Sequence, residues 1–129
     1  MFSHIKTSKE NKEVVTQLTN KLSLGAENVI ARIAIAHSLA QEEKLDLKDL
    51  NDSGGKEYSK SVLFGDNFDI YMGLIQMKYN IHFSDKDLSK YIKIHIDHGL
   101  QLLNFEINHK QNTDGFQFLM QKIETKLFI

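Results

Sequence analysis

Of the twelve residues from Val29 to Ala40, only Arg32, His37 and Ser38 are not aliphatic, and no proline or glycine interrupts them. A run of this length without breakers reads as helix, and this one is apolar nearly all round. A helix in a chain of 129 residues ordinarily keeps one wet face. The segment must therefore either pass through the middle of the core or share its outer face with a second subunit, and the pattern favours the shared arrangement.

The flanking residues set this helix in a mainly α chain. Residues 2–7 alternate weakly and read as a short strand, and Ser8 is a natural N-cap for a helix beginning at Lys9. From Lys9 to Leu22 the apolar Val14, Val15, Leu18 and Leu22 recur at helical spacing with the lysines mostly elsewhere. Gly25 is placed to take the left-handed turn that ends this helix, and Ala26-Glu27-Asn28 opens the next with an acid in its first turn. An acidic stretch from Glu42 to Asp52 ends at Ser53-Gly54-Gly55, read as a turn because the lysine and hydroxyl of a phosphate loop are missing. Lys56 to Phe64 reads as extended or irregular. Helices are expected from about 66 to 79, from a Ser84/Asp87 capping box to about 107, and from about 115 to 127. One core accommodates this length, so 1–129 is a single domain: a strand and two helices over 1–41, a linker over 42–65 and C-terminal helices over 66–129.

Composition removes whole classes of chemistry. There is no cysteine, which excludes a disulfide scaffold, a thiolate metal site, a persulfide carrier and a cysteine nucleophile. Sixteen basic against seventeen acidic residues give a net charge of -1, so any attraction to nucleic acid must come from a local patch. No leader-like apolar stretch and no membrane-length apolar run is present, which makes a cytoplasmic protein without membrane contact the expectation.

A short strand followed by two helices, the second apolar on most of its surface, is similar to the ribbon-helix-helix unit, whose members bind DNA as intertwined dimers. The run from Gly25 to Leu39, the later Gly55-Lys56-Glu57-Tyr58 and Leu63-Phe64-Gly65, the helix through Tyr71, Leu74 and Ile75, and the stretch His95-Ile96-Asp97-His98-Gly99-Leu100 together resemble the DndE family of DNA sulfur-modification proteins, over nearly the full length. The resemblance implies a small accessory protein of DNA phosphorothioation, the replacement of a non-bridging phosphate oxygen by sulfur. It implies a compact homo-oligomer, a dimer or tetramer, with a ribbon-helix-helix-like core that binds duplex DNA and works beside a cysteine desulfurase, an iron–sulfur subunit and an ATPase. The missing cysteines agree independently, because a chain without thiols neither passes sulfur nor holds a cluster. No cofactor and no catalytic role are expected.

The candidate contacts are lysines. The chain has fifteen Lys and one Arg, and residues 1–24 carry four Lys against two Glu. Lysine is a point charge suited to phosphate rather than a fork suited to guanine edges, so the inventory points to backbone contact. On composition alone these lysines are a solvated face. With the resemblance, Lys6, Lys9, Lys12, Lys21, Lys56 and Lys60 become the expected DNA-binding residues, joined by Asn28 near a helix start, where amides meet phosphate. Arg32 is expected to pair with a carboxylate, ahead of a phosphate. His95 and His98 flank Asp97 at a spacing that suits a metal, but packed or surface histidines are the better expectation; His37 reads as a satisfied core histidine. Asp66 with Asp69, and Asp85 with Asp87, sit at helix starts and read as capping residues, not metal ligands. Two rival classes stay open: a ribbon-helix-helix repressor or antitoxin whose strand reads bases, and, with least support, a metal nuclease.

Overall fold

The computed structural model describes residues 2–82 and 86–109. Strand β1 (His4–Lys6) leads into α1 (Lys9–Leu22) through Ser8, whose hydroxyl accepts the Asn11 N–H at 3.2 Å as the N-cap. The face at helical spacing is the buried one: Val14, Val15, Leu18 and Leu22. The left-handed residue that closes α1 is Ser23, with φ 54°, and not Gly25. Closure requires the residue directly after the helix, whose N–H returns to the Thr19 carbonyl; Gly25, also at positive φ, comes two residues later and turns the chain toward α2.

Helix α2 (Glu27–Leu39) is the middle of the core. Ile30, Ala31, Ala34, Ile35 and Ser38 are buried, and Ala36 is its one exposed residue. It packs on α1 and on α5 (Leu88–Asn108), and against α3 (Lys60–Phe64) and α4 (Phe68–Tyr79). The chain's own elements thus absorb the apolarity that favoured a shared face. Gly99 explains how α5 comes so close: a Cβ there would lie 1.9 Å from the Ala34 carbonyl oxygen. The glycine marks a backbone-to-backbone crossing, not an interruption of the helix.

The stretch read as a linker holds structure. Glu57–Ser59 form β2, antiparallel to β1 with His4 opposite Ser59, Ile5 opposite Tyr58 and Lys6 opposite Glu57. The short N-terminal strand thus finds its pairing partner inside the same chain. Three residues without apolar alternation carry no strand signal; closure of the chain on itself supplies it. Gly55 makes the pass possible, since its N–H reaches the Thr7 carbonyl at 3.0 Å and a Cβ would lie 2.0 Å from the Ser8 carbonyl oxygen. With the Gly54 N–H on the Asp52 carboxylate at 2.9 Å, the Gly-Gly pair is a turn against β1, as its sequence suggests.

Helix α4 carries the exposed apolar surface. Ile70, Leu74 and Met77 recur along one side of it, and Met77 is 83% exposed. At the start of α5, Asp87 makes no side-chain cap bond and pairs with Lys90 at 3.2 Å; Ser84 and Asp85 lie outside the described residues, as does the helix expected over 115–127. No helix among the described residues is long and apolar enough to cross a membrane.

Candidate nucleic-acid interface

The start of α1 is fixed by a buried ion pair. The Lys93 ammonium lies 2.9 Å from the Asp97 carboxylate one turn along α5, and the two side chains are 11% and 2% exposed. Lys93 also donates to the carbonyls of Lys6 at 3.0 Å and Asp52 at 2.8 Å, which uses its three protons. Asp97 in turn accepts the Ser8 N–H at 3.0 Å and the Asn11 amide at 2.8 Å. One pair therefore ties together β1, the turn before Gly54, α1 and α5. Asp52 adds a second anchor: its carboxylate accepts the N–H groups of Lys9 and Gly54, and these bonds hold its pKa below the usual carboxylate value.

Four of the expected lysines gather at this end. Lys6, Lys9 and Lys12 are exposed on β1 and the first turn of α1. Lys56 lies across from Thr7, with which it exchanges two bonds of 2.9 Å, and its ammonium pairs with Glu27 at 3.2 Å. Glu27 accepts from Thr16, one turn from Lys12 on α1. Lys21 stands apart, about 14 Å further along α1 by helical rise, reaching the Asn108 side chain at 3.4 Å. Lys60 lies on α3 with its ammonium 4.0 Å from the Phe68 ring centre.

Asn28 and Arg32 are occupied with α3. The Asn28 amide donates to the Val62 carbonyl at 3.2 Å, and Arg32 donates to the carbonyls of Leu63 at 2.7 Å and Val62 at 3.1 Å. The expected carboxylate partner of Arg32 is replaced by the open carbonyls at the end of a short helix, where a cation is favoured. His37 is satisfied, 3.0 Å from Glu106.

His95 and His98 do not converge on a metal: both turn Nδ1 toward the Ser38 hydroxyl, at 2.7 Å each. Nε2 of His95 lies 2.6 Å from the Tyr79 hydroxyl, which accepts the Leu45 N–H at 3.0 Å. One proton can bridge each contact, for example with Leu45 donating to Tyr79, Tyr79 to His95, His95 to Ser38 and Ser38 to His98. Burial, and beyond it Lys78 and His98, pull the His95 pKa down to about 3, so this ring stays neutral. A serine between two imidazoles has the spacing of a nucleophile and its base, but Ser38 is 1% exposed and out of reach of substrate. No group of three or more His, Asp or Glu among the described residues could hold a metal ion.

Comparison with known proteins points to the same fold. Among solved structures the chain is similar to the crystal structure of DndE from Escherichia coli B7A involved in DNA phosphorothioation modification. The TM-score is 0.64 and the identity 18%, with 80% of this chain and 98% of that one covered. It is also similar to a glycine-to-lysine mutant of DndE involved in DNA phosphorothioation, at TM-score 0.66 and 19% identity, with the same coverage. Among curated protein sequences nothing matches. The family model described as DNA sulphur modification protein DndE matches residues 4–111, from β1 past the end of α5. That span includes the anchored lysines, the Gly99 crossing and the buried histidines alike, and the chain belongs to the DndE family of DNA sulphur modification proteins.

Proposed function

We propose that this protein is a non-catalytic DNA-binding and assembly subunit of the DNA phosphorothioation machinery, gripping the duplex by its backbone. The observation that supports this most is the gathering of Lys6, Lys9, Lys12 and Lys56 at one end of α1, on backbone fixed by the Lys93–Asp97 pair. Lys60, Lys21 and Asn28 extend the contact. The absence of cysteine and the burial of Ser38 support a role without chemistry of its own, beside the iron–sulfur and ATPase subunits, in the cytoplasm. In one copy the local excess is small, four Lys against two Glu over residues 1–24. A dimer or tetramer formed through the apolar stripe of α4 multiplies it into a continuous basic face. The pairing of β1 with β2 weighs against the repressor class, in which strands from two chains form the base-reading ribbon.

The test is salt-dependent binding to unrelated duplexes by fluorescence anisotropy. Log affinity falls with log salt at a slope near -0.9 for each phosphate engaged, and each lysine removed flattens it by about one per copy. Unrelated sequences bind alike. Full binding by the variant with alanine at Lys6, Lys9, Lys12 and Lys21, or a strong preference for one operator, overturns the proposal.

A further inference from the structure

The apolar stripe on α4 is too narrow to hold two copies together unaided. Ile70, Leu74 and Met77 recur over about 10 Å of helix. Among the described residues, Val62 and Phe105 are the other large apolar side chains left exposed. A stable interface takes roughly 20–30 residues a side around an apolar centre. The rest of that surface has to come from another part of the chain.

The C-terminal stretch has the matching pattern. Residues 112–129 lie beyond the span that matches the DndE family and outside the described residues. Within them Phe116, Leu119, Met120, Ile123 and Leu127 recur at the three- and four-residue spacing of one helix face, with Gln117, Gln121, Lys122, Glu124 and Lys126 between. Charge sets a direction for the pairing. Asp66 and Asp69, exposed beside the start of α4, make no ion pair among the described residues. Run antiparallel to α4, the stretch brings Phe116 beside Met77 and its two lysines, Lys122 and Lys126, toward those aspartates.

Reach decides which copy supplies it. Helix α4 meets α5 through Tyr79, whose hydroxyl lies 2.6 Å from His95. From His95 to His109, at the end of α5, is about 21 Å of helical rise. The steps from His109 to Gly115 cover about 20 Å only when fully drawn out. Asn112, Asp114 and Gly115 are turn residues, ill suited to a taut tether. A chain's own stretch would have to cross the whole length back to its own stripe fully extended, whereas the same stretch from a neighbouring copy carries no such constraint.

We propose that residues 115–127 of one copy dock on the α4 stripe of a second copy, and reciprocally, so that exchange of this segment builds the subunit interface. The docking rests on the assembly through α4 proposed above and names the surface that completes it. Reciprocal exchange of one element is a low-cost route to a closed two-fold assembly.

The chain has no cysteine, so introduced cysteines report the contact cleanly. Full-length copies carrying Leu74→Cys and copies carrying Met120→Cys, distinguished by a tag, are co-expressed and oxidised. A disulfide forms where the two Cα atoms come within about 7 Å. The expected product joins a Leu74→Cys copy to a Met120→Cys copy, faster than either copy joins its own kind. Light scattering of full-length Met120→Lys gives the 14.9 kDa of one chain, with the unfolding midpoint of α1 to α5 retained. A disulfide closed within one chain, when both substitutions are on it, overturns the exchange in favour of the chain's own segment. Leu74→Cys joined chiefly to itself, or an undiminished mass for Met120→Lys, overturns the segment as occupant and leaves assembly through α4 standing. A monomeric wild type overturns both. A wild-type assembly that forms the expected disulfide and binds no duplex upholds the docking and removes the DNA-binding role.

Discussion

Adding one methyl group at Gly99 and the same group at Gly73 should move stability in opposite directions. At Gly99 the new Cβ would lie 1.9 Å from the Ala34 oxygen, 2.4 Å from its carbonyl carbon and 2.9 Å from its Cα. These are backbone atoms of α2, so no rotamer change relieves the clash. An ordinary carbon–oxygen approach is about 3.3 Å, so α5 must retreat by about 1.4 Å where it crosses α2. Ile30 and Ile35 on α2 face Ile92, Ile96 and Leu100 on α5 in one continuous core, and all are fully buried. A gap of even half that retreat forfeits about a quarter to a half of each dispersion contact across the seam. Overpacking of this kind costs about 1–3 kcal/mol and more where backbone must move, against about 1 kcal/mol gained from helix propensity. A net loss of about 2 kcal/mol lowers Tm by roughly 7 °C for a chain of this size.

At Gly73 on α4 nothing lies within 4 Å of the added Cβ, so only the propensity gain of up to about 1 kcal/mol remains. Thermal and urea unfolding followed by circular dichroism, at one protein concentration, compare Gly99→Ala and Gly73→Ala with the wild type. Gly99→Ala as stable as the wild type, or both variants shifted the same way, would refute the close crossing.

The buried network and α4 each carry a further expected outcome. His95 is pulled to about 3 in the fold and titrates near 6.5 in the unfolded chain. The folded value is the lower, so the unfolded chain takes up the proton: stability is complete above about pH 6.5 and declines as pH falls toward 3. The urea midpoint should drop between about pH 7 and about pH 5, before most carboxylates titrate, and His95→Asn should flatten that drop; a constant midpoint counts against a neutral His95. Light scattering should give a mass at least twice the 14.9 kDa of one chain, and Met77→Lys, at an exposed position, should lower it without reducing the helix signal. A wild-type monomer at micromolar concentration would remove the α4 interface.

Helices α1, α2, α4 and α5 are legible in the sequence because their periodicity is local, whereas α3, five residues in a stretch that reads as extended or irregular, is too short to show one. Val14, Val15, Leu18 and Leu22 declare the buried face of α1, and the uninterrupted run from Val29 declares α2 as a helix, though not what covers it. Coverage depends on Gly99 and on a close pass by α5, and no spacing within α2 carries that information. Strand β2 is illegible for the same reason, being three residues whose pairing exists because Gly55 lets the chain pass under Thr7. At the candidate site the lysines are visible as a composition bias, but their sorting into a gathered set and the distant Lys21 requires the fold. The role of Lys93 emerges only in three dimensions. Lys93 does leave a trace, four residues before Asp97 in a stretch otherwise rich in isoleucine, where two charges at helical spacing ask to be paired.

That pair offers a way to separate the geometry of the basic face from its charge. Removing one partner alone, as in Lys93→Met or Asp97→Leu, strands the other in the interior and should destabilise the fold by about 3–5 kcal/mol. Replacing both together leaves no unpaired charge, and apolar groups of similar volume often restore much of the loss. The double variant has the same net charge as the wild type, because one cation and one anion disappear together. What it lacks are the bonds that Lys93 donates to the carbonyls of Lys6 and Asp52 and the one that the Ser8 amide donates to Asp97, which set β1, the Asp52 turn and the start of α1 in register. If Lys6, Lys9 and Lys12 act as an array held to the spacing of phosphates, the folded double variant should bind duplex several-fold more weakly, with a shallower salt slope. Binding and slope equal to the wild type in a variant that retains its unfolding midpoint would mean that the lysines act as a loose cloud of charge and that the anchor serves stability alone.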